Sequence, residues 1–222
     1  MTGEKMKALI AGASGLTGSF LLKEILYNKD YSEVEIFSRT HSELFYLKLK
    51  ERVIDYNSLD SLPVTPVDHV FCCLGTTIKK AGSKEAFRKV DFEYVVSLAK
   101  YSERAGASKF IVISSLGANH LSSNFYLRTK GEMEEAIKSV SIPSIYILQP
   151  SLLLGNRKEF RFGEIVAQKM MPLIDFIFIG RFRKYKSIKA RQVAKAMILL
   201  AKEEKSGVVT FDSSMIKDIG NT

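Results

Sequence analysis

Tyr126 and Lys130 stand four residues apart in the stretch NFYLRTKGEMEEA (124–136). On a helix, a phenol and an ammonium at that spacing project from one face. The stretch predicts such a helix: Glu132, Met133, Glu134, Glu135 and Ala136 are good helix formers, and Ser122 or Ser123 can cap its start. A phenol with a reference pKa of about 10 is a poor base at neutrality, and a nearby ammonium stabilises its phenolate. The pair could then exchange a proton with a carbonyl or alcohol oxygen. The same spacing also describes two solvated residues on an ordinary helix, so its meaning rests on what precedes it.

What precedes it is a glycine loop. Gly12, Gly15 and Gly18 form a G-x-x-G-x-x-G pattern in GASGLTG (12–18), between the strand-like MKALIAG (6–12) and the helical LTGSFLLKEILYN (16–28). A turn this tight tolerates little side chain, and amides at the helix start can approach a pyrophosphate. Gly18 lets helix and strand pack closely, while Ser14, Leu16 and Thr17 sit where amides or hydroxyls meet phosphate. This placement predicts dinucleotide binding. At the end of the second strand, EVEIFS (33–38), Ser38, Arg39 and Thr40 stand where NAD-preferring sites place an acid on the ribose 2′-hydroxyl. A guanidinium suits a 2′-phosphate, so NADP(H) is expected ahead of NAD.

The elements that must position these residues alternate along the chain. DHVFCCLG (68–75), KFIVISS (109–115), SIYILQP (144–150) and GVVTFD (207–212) read as further strands. HSELFYLKLKERVID (41–55) is ambiguous, although RVID ends a strand. KEAFRKVDFEYVVSLAKYSERAG (84–106) reads as one helix closed by Gly106, and further helices are expected at about 163–171 and 190–203. Strands alternating with helices predict an α/β, doubly wound parallel sheet covered on both faces. No repeat or linker divides the chain. Residues 1–222 are read as one domain, with a dinucleotide-binding core to about 150 and a smaller substrate-side portion over 151–222.

Composition narrows the function classes. The opening MTGEKMK leads straight into an apolar run with no secretory pattern, and no run reaches membrane-spanning length. The two cysteines, Cys72 and Cys73, are adjacent, so strand geometry points them to opposite faces. They read as thiols in a reducing compartment, and a cytoplasmic location is expected. His41, His69 and His120 are scattered without ligand spacing, and no metal is expected. The net charge of +9 is concentrated between Arg157 and Lys195, where eleven Lys or Arg face only Glu159, Glu164 and Asp175. A basic face can attract nucleic acid, a membrane surface or an anionic small molecule, or simply be solvated. No groove-binding motif accompanies it, so a small-molecule substrate is expected rather than nucleic acid or a membrane. Arg157, Lys158 and Arg161 are best placed to meet an anionic group, and Arg181, Arg183, Lys184 and Lys186 are expected in an exposed loop.

Together with the glycine spacing, LGTT (74–77), ISS (113–115) and YLRTK (126–130) resemble the short-chain dehydrogenase/reductase superfamily. CCLGTTIKKAGSKEAFRKVDFEYV (72–95) and SSLGANHLSSNFYLRTKGEMEEAI (114–137) are especially similar to its atypical, Tat-interacting-protein-like oxidoreductase branch. The resemblance extends to about Arg161. It implies an NAD(P)-binding Rossmann fold and an oxidoreductase acting on a small carbonyl or alcohol. It gives Tyr126 the acid/base role and Lys130 the ribose-binding, pKa-lowering role. Ser115 holds the substrate oxygen, with Ser114 as the neighbouring alternative. Cofactor contacts are implied at Leu74, Gly75, Thr76 and Pro150, and at Asp55 beside adenine, where a loop-capping role is equally open. The pattern fails in two places. Gln149 stands where relatives often carry Arg, and KVDFEYV lacks the helix asparagine that supports a proton relay elsewhere in the superfamily. Two other functions fit the same resemblance. One is an epimerase/dehydratase-like enzyme, for which the region after 150 is short. The other is an NADP(H)-binding regulatory protein with a protein partner.

Overall fold

A computed structural model describes residues 5–155 and 180–222 of the chain. The strands are β1 (Met6–Ala11), β2 (Tyr31–Ser38), β3 (Leu49–Val53), β4 (His69–Cys72), β5 (Lys109–Ile113), β6 (Ser144–Gln149), β7 (Leu153–Leu154), β8 (Ile188–Lys189) and β9 (Gly207–Asp212). Seven of them form one sheet in the order β3-β2-β1-β4-β5-β6-β9, parallel throughout, and β7 pairs with β8 separately. The helices are α1 (Leu16–Tyr27), α2 (Ile78–Ala81), α3 (Lys84–Arg88), α4 (Tyr94–Arg104), α5 (Phe125–Ile137), α6 (Ala190–Ala201) and α7 (Ser213–Asn221).

The sheet is buried on both sides, which explains why its strands read as unbroken apolar runs. Successive side chains go to opposite faces. Ala8 and Ile10 of β1 join Leu21, Ile25, Val193, Met197 and Ile216 from α1, α6 and α7. Leu9 and Ala11 join Leu98, Tyr101, Met133 and Ile137 from α4 and α5. Burying each large apolar side chain contributes roughly 1.5–3 kcal/mol, so both faces anchor the sheet. Cys72 packs on the second face and Cys73 against the first, as free thiols.

Several expectations need correction. Asn124, not Ser122 or Ser123, caps α5, by accepting the Leu127 amide at 3.1 Å. Ser122 is used one step earlier, taking the Asn124 amide. The long helix over 84–106 is α3 and α4 joined by a π-helical segment, Lys89–Glu93. Gly106 does stand past its end with φ +75°. The ambiguous segment places its strand at Leu49–Val53, so Ile54 and Asp55 lie beyond it. Helix α7, which Asp212 caps through the Ser214 and Met215 amides, was not expected at all. Arg157, Lys158, Arg161 and the helix expected at about 163–171 lie outside the described residues. In the basic 3₁₀ segment Gly180–Tyr185, Arg183 is exposed and pairs with Asp218, whereas Lys184 and the following Lys186 are half-buried.

The sheet order reverses between β1 and β4, the neighbours from which the chain winds outward in both directions. In such a sheet the crevice beyond the carboxyl ends at that reversal is where ligands sit. Gly12 leaves β1 there, and Leu74–Thr76 leave β4.

Candidate active site

The glycine loop is as tight as its spacing suggests. Gly12 has φ +84°, and a Cβ there would lie 2.6 Å from the Cys73 carbonyl oxygen. A Cβ on Gly18 would overlap the Gly12 carbonyl, and one on Gly155 would lie 2.7 Å from Leu16 Cδ1. Gly15 is the N-cap of α1 and supplies no side-chain cap, so the helix start presents backbone amides alone. Ser14 and Gly15 are exposed and Leu16 half-buried. Thr17 is buried, which withdraws its hydroxyl from the surface. The uncapped amides at the start of α1 are donors of the kind a dinucleotide pyrophosphate can meet.

Across the β4 end lies the Tyr–Lys helix. Tyr126 is half-buried with its ring 5.5 Å from that of Phe87, and its hydroxyl has no hydrogen-bond partner among the described residues. Lys130 is buried, and its ammonium lies 2.7 Å from Asp91 Oδ1. Asp91, in the π-helical segment, is the site residue that the sequence reading missed. Its second oxygen accepts the Thr76 amide at 2.7 Å. A Cβ on Gly75 would lie 3.4 Å from Asp91 Oδ1 and 4.0 Å from Lys130 Nζ. Burial pushes the Lys130 ammonium down, but the charge of Asp91 and that of Tyr126 outweigh burial and hold it above the ordinary lysine value. Gly131, next in sequence, has no room for a Cβ because the Asn119–His120 backbone crosses it.

The two serines at the end of β5 differ. Ser115 is half-buried, and its hydroxyl makes only a 3.5 Å contact with the Leu116 carbonyl. Ser114 is buried and its hydroxyl completes no hydrogen bond, although it comes near enough to Glu134 to favour the carboxylate. Glu134 is itself buried, and both its oxygens accept the Gln149 amide. The following residue, Pro150, accepts the Leu116 amide and so ties the β5 and β6 ends together.

Beyond β2, Ser38 is half-buried, and Arg39 and Thr40 are exposed. The Arg39 guanidinium has no ion pair or hydrogen bond among the described residues; its charge reaches the buried Tyr56, whose hydroxyl donates to the Phe37 carbonyl. Asp55 caps a 3₁₀ turn by accepting the Asn57 backbone and side-chain amides, which is the loop-capping reading of that residue. One acid does approach this end of the sheet. Glu51 on β3 is held on the Ser42 amide at 2.9 Å and lies 3.6 Å from His41.

A profile of the NAD(P)H-binding family matches residues 12–204. The chain belongs to that family. This NAD(P)H-binding protein is 37% identical to Protein HTATIP2 of Rattus norvegicus over 171 residues, 75% of this chain and 70% of the relative. It is 31% identical to Protein FMP52, mitochondrial, of Debaryomyces hansenii over 229 residues, 98% of this chain and 96% of the relative. The expected superfamily and its Tat-interacting-protein-like branch are thereby borne out. Among solved structures, ADP-L-glycero-D-manno-heptose-6-epimerase of Helicobacter pylori is similar at a TM-score of 0.68 and 20% identity, over 97% of this chain and 80% of that one. WbmG of Bordetella bronchiseptica, in complex with NAD, is similar at 0.67 and 15% identity, over 99% and 77%. At such identities these two show the fold, and it is the expected Rossmann-like sheet. Among the described residues, no helix is long and apolar enough to cross a membrane.

Proposed function

We propose that this chain is an NADP(H)-dependent oxidoreductase acting on a small carbonyl or alcohol. One observation carries the reading: the dinucleotide loop and the Tyr–Lys helix adjoin through a single strand end. Gly12 approaches Cys73 and Leu74, and Gly75, one residue further, approaches Lys130. When bound, the nicotinamide supplies or accepts the hydride. The protein's own groups handle the oxygen. The Tyr126 hydroxyl, without a hydrogen-bond partner among the described residues, exchanges a proton with it, and Ser115 holds it. The Lys130 ammonium would meet the ribose hydroxyls of a bound dinucleotide. Arg39, with no ion pair or hydrogen bond among the described residues, is the group for the 2′-phosphate, and the Glu51 charge is turned onto the Ser42 amide instead.

The substrate proposed is a small molecule, with Arg157, Lys158 and Arg161 as candidates for an anionic group. The test is calorimetric titration with NADPH and NADH, followed by a panel of aldehydes, ketones and alcohols monitored by nicotinamide absorbance. Tight NADPH binding with turnover is the expected result. Failure to bind either cofactor would overturn the reading, and binding without turnover would favour a cofactor-gated regulatory protein. A cytoplasmic location is proposed with this function. The FMP52 relative is named as mitochondrial, so cell fractionation of the full-length protein decides between the two.

A further inference from the structure

We infer that Asp91 is a positioning residue: it locks the Lys130 ammonium and the Thr76 amide into one buried unit and so fixes where Lys130 stands. The inference rests on the oxidoreductase reading, in which Lys130 meets the cofactor ribose. Both Asp91 oxygens are committed, Oδ1 to Lys130 Nζ and Oδ2 to the Thr76 amide, each at 2.7 Å. The pair is among the most buried charge in the molecule, with Asp91 1% and Lys130 3% exposed. A buried ion pair is a poor source of stability, because desolvation offsets most of the attraction and apolar residues often serve better. What it supplies is geometry. Asp91 joins a residue of α5 to the loop that leaves β4, the two elements that flank the cofactor crevice.

Local backbone supports this reading. Asp91 lies in a π-helical segment, a helix variant that occurs mostly as a single widened turn and frequently at functional sites. Asp91 is buried on the same side as Phe87 and Val95. Gly75 lies directly beside the pair, at contact distance.

The Asp91 charge has a consequence. The groups whose charges reach Lys130 are Tyr126 and Glu134 from its own helix, Asp91 from the π segment and Cys72 from β4. Removing the Asp91 anion makes every neighbouring proton easier to lose. The Lys130 ammonium then titrates at lower pH than in the wild type. Asp91→Asn keeps an acceptor for the Thr76 amide and removes only the charge.

The experiment uses the full chain with NADPH alone. Wild type, Asp91→Asn, Lys130→Met and the double variant are titrated calorimetrically across a pH series, and the Lys130 side chain is followed by NMR. Asp91→Asn should weaken NADPH by about tenfold to a hundredfold, the loss of one charge-assisted contact. It should also lower the Lys130 titration, and the double variant should bind no worse than Lys130→Met. A wild-type Lys130 titration in Asp91→Asn, or losses that multiply in the double variant, would overturn the inference. If Asp91→Asn does not fold, the double variant, in which neither member of the pair is left charged without the other, is compared with Lys130→Met. Equal affinity supports the inference and a further loss overturns it. Unchanged NADPH binding in Lys130→Met would instead sink the oxidoreductase reading on which the inference stands.

Discussion

Gln149 donates its side-chain amide to both oxygens of Glu134, at 3.0 Å each, and Glu134 stands one helical turn beyond Lys130. The Glu134 carboxylate is left buried with no direct ion pair among the described residues. Burial raises its pKa, and the opposing pull of Ser114, Gln149, Lys138 and Lys130 does not cancel the shift. A carboxyl raised in the folded state holds its proton more tightly than in the unfolded chain. Its contribution therefore favours folding at low pH and is lost as pH rises through the folded pKa. Glu134→Gln should gain stability relative to wild type between the ordinary carboxylate range and neutrality. Urea unfolding at a series of pH values measures that gap, and a gap that stays constant with pH contradicts the account.

The glycine loop makes a steric prediction. Gly12→Ala must hold a side chain at φ +84° with its Cβ against the Cys73 carbonyl. The backbone conformation alone costs of order 1–3 kcal/mol, and the overlap adds to it. Denaturant unfolding should show at least that loss, with NADPH binding abolished. A variant as stable as wild type would mean that the loop is not held as described.

Arg39 makes the prediction about cofactor choice. Losing a charge-assisted bond to a 2′-phosphate costs about 1.5–3 kcal/mol, roughly tenfold to a hundredfold in affinity. Arg39→Ala should lose that much for NADPH and nothing for NADH by calorimetry. Equal losses for both cofactors would remove Arg39 from the 2′-phosphate.

The basic segment makes a negative prediction. Binding to duplex nucleic acid through many phosphates weakens with salt, with a log–log slope of roughly −0.9 per phosphate neutralised. Fluorescence anisotropy with duplex and single-stranded oligonucleotides should find only weak, sequence-indifferent association that vanishes near physiological salt. Submicromolar binding that survives that salt would reverse the ranking of partners.

How far the sequence reveals the site depends on the distance between interacting residues. The glycine loop and the Tyr–Lys spacing are local, so strand, loop and helix can be read directly, and β9 spans the residues expected of it. Asp91 is different. In KVDFEYV it looks like one more acid on a helix surface, and only the tertiary contact with Lys130, thirty-nine positions on, gives it a role. A faint signal was present: Phe87, Asp91 and Val95 recur every four residues, which places an acid on an apolar stripe. The α5 cap was misjudged because Ser122, Ser123 and Asn124 are consecutive acceptors, and only the chain's path decides among them. Glu51 is not legible as a neighbour of Ser38 because the ambiguous segment before it conceals the return of the chain onto β3.

The most direct test of the proposed chemistry is steady-state turnover of Tyr126→Phe, with NADPH and a carbonyl substrate from the panel. The substitution removes one oxygen and keeps the ring against Phe87, so fold and cofactor affinity should stay near wild type. Turnover should fall by roughly 10²–10⁴, the range for a lost general acid. Turnover equal to wild type, with NADPH still bound, would contradict the assignment of Tyr126 and with it the proposed mechanism.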